Sequence, residues 1–331
     1  MLDGASRIEE LMRAAAEHQM PAIAITDHGV MYGAVDFYQA AQRHGVKPII
    51  GTELYVATRS RFDKSSKEKD SNHHMTAVAE SDEGYHNLVK LVSLAHLEGY
   101  YYRPRVDKDL LAQYATGIIA TTGCLAGEVG QLLLQGQVEQ ATRVAGEYRE
   151  IFGRDNFFVE LQDHGLGDQH TVFPRLLEIA KAIDAPLLAT NDLHYVRQSD
   201  ASAHDALLCI QTGSTINEPG RFKFDAEEFY LKSPAEMRAL FAQHPDACDN
   251  SLAIAERCNT QLEFGVQRLP KFQTPTGEPV ESYLRTLTYK GAGERYGDPL
   301  PAEVKERIEY ELETIISMGF ASYFLIVADL I

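Results

Sequence analysis

Short apolar runs alternating with helical patterns constrain this chain more than any other feature. "AIAIT" (22–26), "VKPIIG" (46–51), "MTAVA" (75–79), "GIIATT" (117–122), "NFFVEL" (156–161) and "APLLAT" (185–190) are each of strand length. Stretches 83–97, 125–151 and 168–184 carry helical periodicity between them. An opening helix is also expected, with Ser6 and Glu9 as a capping box around a stripe of Ile8, Leu11, Met12 and Ala15. Strands alternating with helices predict a parallel sheet. Six or seven such units in about 240 residues suit a closed (β/α) barrel better than a small open sheet.

The runs also share an ending. Asp27 and His28 follow the first, Glu53 the second, Cys124 the fourth, Asp163 and His164 the fifth, and Asp192 and His194 the sixth. Barrel enzymes build their active sites at these C-terminal strand ends. In "ATNDLHY" (189–195), Asp192 and His194 are two residues apart, so continued strand geometry would point both to one side. By the same rule Asp27 faces away from His28 and serves better as a supporting partner. His73 and His74 precede their run, so they join the group only from a loop or an oppositely running strand. Imidazole with carboxylate suits zinc, manganese or iron, and a thiolate from Cys124 tilts the choice toward zinc. The candidates are too many for one tetrahedral ion. Glu53 could bridge two, and paired ions are the usual arrangement for hydrolysing phosphate esters. The sequence holds no GxSxG, no P-loop and no GxGxxG after a strand, which disfavours a serine nucleophile and the usual nucleotide-binding loops.

Composition narrows the classes. The 331 residues are 44% hydrophobic and 24% charged, as in a well-cored globular protein. A net charge of −17, from 31 basic and 48 acidic residues, does not hold a polyanion by electrostatics alone. Metal ions at a site could supply the missing positive charge. No apolar run is long enough to span a membrane, and the N-terminus lacks a signal-peptide layout. Four cysteines without a CxxC argue against a zinc ribbon or a disulfide framework and suit a reducing cytoplasm. Cys209, Cys248 and Cys258 read as packing residues, and His86 and His96 as ordinary helix histidines. "GYYYRPRVD" (99–107) sets tyrosines beside Arg103 and Arg105, either to hold a base and a phosphate or as a packed turn with snorkelling arginines. His164 is a candidate phosphate contact. The polar stretch 59–72 reads as a solvated loop, and "FGVQRLPKFQTPTGEPVES" (264–282) as a linker. Helices are expected over 281–296 and 302–317, ahead of the apolar "GFASYFLIVADLI". Such an ending suggests a chain cut from something larger, with Tyr323 to Ile331 packed on a neighbour or badly ordered.

"ITDHG" (25–29), "GTELYV" (51–56), "HHMTAVA" (73–79), "TTGCLAGEV" (121–129) and "ATNDLHY" together resemble the polymerase and histidinol phosphatase (PHP) domain of bacterial DNA polymerase III alpha subunits. The resemblance runs over essentially the whole chain, and "ELETIISMGFASYFLIVADLI" is similar to the segment leading into the polymerase palm. It implies an α/β fold, a distorted (β/α)7 barrel of PHP type over 1–265, then a linker and the helical start of the polymerase region over 266–331. It implies Asp3, His28, Glu53, His74, Cys124, Asp192 and His194 as ligands of up to three ions, Zn2+ or Mn2+. A metal-bound water among His28, Glu53 and Asp192 would be the catalytic centre, and Mg2+ would serve the full-length polymerase. In some members of the family the cluster supports 3′–5′ exonuclease activity; in others the domain is a scaffold that docks a separate proofreading exonuclease. The implied partners are primer–template DNA and other holoenzyme subunits, including that exonuclease and the sliding clamp, in the cytoplasm with no membrane. The palm carboxylates would lie beyond Ile331, so this stretch should not polymerise. The family pattern opens with an H-x-H pair ahead of "LDG", whereas this sequence starts at "MLDG". The resemblance therefore implies a missing first strand, an impaired ion site at Glu53 and Asp192, metal at reduced occupancy and nuclease activity that is weak or absent. A free-standing small-molecule phosphatase of the same superfamily is disfavoured by the helical ending.

Overall fold

A computed structural model describes residues 3–65, 72–266 and 270–331. Part of the expected solvated loop (66–71) and part of the expected linker (267–269) lie outside the described residues. The chain divides into two compact units, Met1–Leu262 and Glu263–Ile331.

The first unit runs α1 (Ile8–Glu17), β1 (Ala22–Ile25), α2 (Ala34–His44), β2 (Lys47–Ala57), β3 (Asn72–Ala79), α3 (Asp82–Leu97), β4 (Arg105–Val106), α4 (Lys108–Gln113) and β5 (Ile118–Thr121). It continues through α5 (Glu128–Leu134), α6 (Val138–Phe152), β6 (Phe157–Leu161), α7 (Gly167–Ala182), β7 (Leu187–Ala189), α8 (Ala201–Thr212), α9 (Pro234–Leu240) and α10 (Pro245–Arg257). The strands form one sheet in the order β1-β2-β3-β5-β6-β7, with β4 added to β2. It is mixed rather than parallel: β3 runs antiparallel to both β2 and β5, while the β1–β2, β5–β6 and β6–β7 pairs are parallel. Among the described residues β7 does not pair with β1, so the sheet is a curled, open half-barrel in an α/β fold.

Burial on both faces explains why the strands read as unbroken apolar runs rather than alternating ones. Every residue of β5 and of β6 is buried. On the outer face Leu54, Met75, Ala120, Phe157 and Val159 pack with Leu88, Leu91, Val144 and Tyr148 of the surrounding helices. On the inner face Ile49, Val78, Ile119, Phe158 and Leu188 form a row with one residue from each of five strands, closed by Ile254 and Ala255 of α10 and by Cys258 just after it. That plug fills one end of the curl. The other end is left to polar residues.

Two local expectations are corrected. Helix α1 begins without a side-chain cap; Ser6 Oγ is buried without a partner, and Glu9 pairs with Arg43 and His44 of α2. The pattern over 125–151 is two helices, because Gly136 takes a left-handed φ of +74° between α5 and α6.

The second unit holds α11 (Val280–Tyr296), α12 (Ala302–Ser317) and α13 (Ala321–Leu330) around Leu284, Leu312, Ala321 and Leu325. Helix α13 thus buries two residues within its own unit, leaving Tyr323, Phe324 and Leu330 exposed. No single helix among the described residues is long and apolar enough to cross a membrane.

Candidate metal centre

Past β1 the chain stays extended, and His28 bridges in parallel to Glu53 on β2. The Glu53 amide donates to Asp27 O (3.0 Å), and the Gly29 amide donates to Glu53 O (2.8 Å). Gly29 has φ +65°, and a Cβ there would lie 2.8 Å from Pro104 Cγ and 3.0 Å from the Tyr55 ring, so glycine alone suits the turn. Glu53 itself is not past a strand end: β2 continues to Ala57, and Glu53 reaches the site from mid-strand.

His74 arrives by the oppositely running strand. In the β2–β3 register Tyr55 faces His74 and Glu53 faces Thr76, which puts the start of β3 beside the ends of the parallel strands. His73 points to the other face of β3, near Glu128. Cys124 follows β5 on a loop turned by Gly123 (φ +77°), where a Cβ would sit 2.4 Å from His74 O. The strand before Asp192 and His194 ends at Ala189, so strand alternation does not pair them. A loop does: the His194 amide donates to Phe229 O (2.8 Å), and the Ala5 amide to His194 O (2.7 Å). That second bond also brings Asp3 into place.

These residues form a connected cluster. Asp192 Oδ1 lies 3.5 Å from His194 Nδ1, and His194 Nε2 lies 3.8 Å from Asp3 Oδ2. Asp3 Oδ1 is 3.2 Å from His28 Nε2, and His28 Nδ1 is 3.2 Å from Glu53 Oε2. The other Glu53 oxygen meets His74 Nδ1, with Cys124 Sγ 3.9 Å from that nitrogen and 4.0 Å from Glu53 Oε1. Two three-donor groups result, Asp3/His28/His194 and His28/Glu53/His74, each with donor atoms within 4.8 Å of one another. Among the described residues no such group includes Cys124 or Asp192.

The electrostatics mark a place built for positive charge. Burial pulls the His28 imidazole down, but the flanking Asp3 and Glu53 carboxylates outweigh it and push it up to about 11. Burial pushes Glu53 up, yet His28 and His74 hold it well below the usual carboxylate range. Asp3 shows the same balance with a smaller downward result from His28 and His194. Burial raises the Cys124 thiol well above its usual range, with the Glu53 and Asp192 charges adding. Asp192 is raised by burial against the opposing pull of His194. His28 Nδ1 is buried and, though close to Glu53, makes no aligned hydrogen bond. An imidazole held between two carboxylates, beside a thiol that only a cation would ionise, fits a divalent ion.

The expected nucleic-acid contacts fare differently. Arg105 is fully buried, and its guanidinium donates to the carbonyls of Gly99 (3.0 Å), Arg61 (3.1 Å) and Asp63 (2.8 Å), leaving no surface for a nucleic acid. Arg103 lies over the Tyr55 ring at 5.7 Å. His164 is 1% exposed and stacks on Phe229 with centroids 4.4 Å apart, so it offers no open face to a phosphate. Burial holds it down to about 4, with Lys232 and His194 adding.

Two residues escaped the sequence reading. His204 on α8 lies 2.6 Å from the Asp3 carbonyl and packs on the His194 ring, steadying both. Glu160 sits inside the apolar run of β6, buried behind Cys124 and Asp192. Its carboxyl is raised by burial, against hydrogen bonds from Thr121, Thr190 and Gln162. A carboxylate in the middle of a wholly buried strand was the signal for it.

Residues 1–164 match the PHP domain family, and residues 282–331 match the bacterial DNA polymerase III alpha NTPase domain. The whole chain aligns with DNA polymerase III subunit alpha of Treponema pallidum at 45% identity over 333 residues, and with that of Mycobacterium tuberculosis at 46% over 348 residues. Over its whole length the chain is similar to DNA polymerase III alpha subunits. It spans 28% of the Treponema subunit and 29% of the Mycobacterium one, under a third of the length of these relatives. Among solved structures, the chain is similar to a two-domain protein of Bacteroides vulgatus described as containing a predicted PHP-like metal-dependent phosphoesterase. The TM-score is 0.37 at 14% identity, over 65% of this chain and 54% of that one.

Proposed function

We propose that this chain holds divalent metal ions, zinc or manganese, in the cluster centred on His28 and Glu53 and hydrolyses phosphodiesters there, trimming DNA from a 3′ end. The observation that carries this reading is the shared position of His28, one nitrogen facing Asp3 and the other, unbonded, facing Glu53. Asp3, His28 and His194 would hold one ion; Glu53 and His74 would hold a second, with Cys124 within reach. Asp192 is the remaining carboxylate of the set, beside His194. Ions held there supply Lewis-acid activation of water and neutralise charge on the leaving oxygen. The chain's own part is to fix the donors: the Glu53 backbone locks against 27–29, and the 189–195 loop is tied to Ala5 and Phe229. Substrate DNA would reach a chain of charge −17 only where such ions offset it.

In the same reading the whole subunit is a cytoplasmic, Mg2+-dependent DNA polymerase. It would work on primer–template DNA with a sliding clamp and other replication subunits. The test is a 5′-end-labelled oligonucleotide incubated with the purified chain and Zn2+ or Mn2+. The expectation is stepwise 3′ shortening that EDTA stops and Glu53→Gln reduces at least about 100-fold. Metal bound in full with no shortening would refute the hydrolytic reading and leave the cluster a structural role.

A further inference from the structure

We propose that Glu160 is a positioning residue for the metal centre, a buried strut that sets the distance between the Cys124 loop and the Asp192 loop. The inference rests on the metal-binding reading above. Glu160 is 3% exposed and lies on β6, between the strands that deliver those two loops. One of its oxygens accepts from Thr121 Oγ1, the last residue of β5. The other accepts from Thr190 Oγ1 (2.5 Å), the first residue past β7, and from Gln162 Nε2 (3.0 Å).

Each threonine passes the restraint onward. Thr121 Oγ1 also accepts from the Gly123 amide (3.0 Å), which fixes the turn that seats Cys124 against His74. Thr190 stands two residues before Asp192, and its amide donates to Leu161 O (3.0 Å). Behind them the Glu160 amide donates to Thr122 Oγ1 (3.0 Å), so backbone and side chain of one residue grip both loops. A direct role with substrate does not fit. The cavity bordered by Thr122, Cys124, Glu160, Gln162 and Gln169 measures about 20 Å³, enough for a water molecule and nothing larger. A group this buried, with its oxygens bonded at two ligand loops, acts by placing the ligands.

The test is zinc affinity of the 331-residue chain, read by competition with a chromophoric chelator, beside thermal unfolding of the metal-free protein. Partners behind metal ligands are worth roughly 10–100-fold in affinity. Glu160→Leu should lose that much, and Glu160→Gln, which can still bond one threonine, should recover most of it. Zinc should also protect Cys124 from alkylation less well in the leucine variant. Thr190→Val keeps the carboxylate and removes one strut, so it reports even where Glu160→Leu fails to fold; a loss of about threefold or more is expected. Zinc binding within twofold of the parent in Thr190→Val and Glu160→Gln, with no rescue order among the variants, would overturn the positioning role alone. Failure of the parent to bind zinc would bring down the metal-centre reading, and this proposal with it.

Discussion

At the scale of single residues, His28 and Glu53 carry the centre. His28 is held between two carboxylates and pushed up to about 11, so in the metal-free protein a proton occupies the role a cation would take. Metal uptake must displace that proton, so zinc affinity should rise steeply with pH, about tenfold per proton released for each pH unit. Isothermal titration in buffers of different ionisation enthalpy counts those protons. His28→Gln should lower the count by about one. His164 gives an independent pH signature. Its folded value of about 4 lies below an unfolded 6.5, so the unfolded chain takes up the proton first. The native state should lose up to about 3 kcal/mol as pH falls from 6.5 to 4. Urea titrations across that window should show a flatter slope in His164→Phe, and an equal slope in both proteins would contradict the buried neutral imidazole. What the sequence hid at this scale was hidden by burial. Glu160 lies inside an apolar run, and Arg105 looked like a free cation although its guanidinium is spent on main-chain carbonyls.

At the scale of elements, strand endings were the legible signal. His28 and Cys124 follow β1 and β5 as read. The reading left open whether β3 runs oppositely or a loop brings His74 in, since an apolar run is the same in either sense; β3 runs oppositely. The reading missed that β2 runs on through Glu53, because a strand paired along its whole length needs no turn residue to end it. The pair in "ATNDLHY" converges, but from a loop, so period-two reasoning named the right residues through the wrong geometry. Turns show the cost of close approach. Gly123→Ala would put a methyl 2.4 Å from His74 O at a positive φ. A destabilisation of about 1–3 kcal/mol is expected, with faster alkylation of Cys124 in the zinc-loaded protein. An unchanged urea midpoint would show that the loop has slack the geometry denies.

At the scale of the molecule, the proposed metal ligands from Asp3 to His194 all belong to the unit Met1–Leu262, and Glu263–Ile331 has a core of its own. A chain of residues 1–262 should therefore fold and keep the zinc stoichiometry of the 331-residue chain, as elemental analysis after gel filtration would report. Loss of metal from the shorter chain would mean that the second unit supports the centre. The α/β class was legible because six apolar runs and their helices repeat along the chain; the PHP type came from the resemblance alone. The opening of the sheet was not legible in the runs themselves, which suggested closure; only the resemblance, with its missing first strand, implied exposed edges. The central claim is that His28 and Glu53 anchor a metal cluster. Anomalous X-ray scattering from crystals grown with zinc tests it most directly. The account predicts peaks about 2.0–2.2 Å from the nearest oxygen or nitrogen donors of Asp3, His28, Glu53 and His74. Well-ordered crystals with those side chains in place, and no anomalous peak among them, would contradict it.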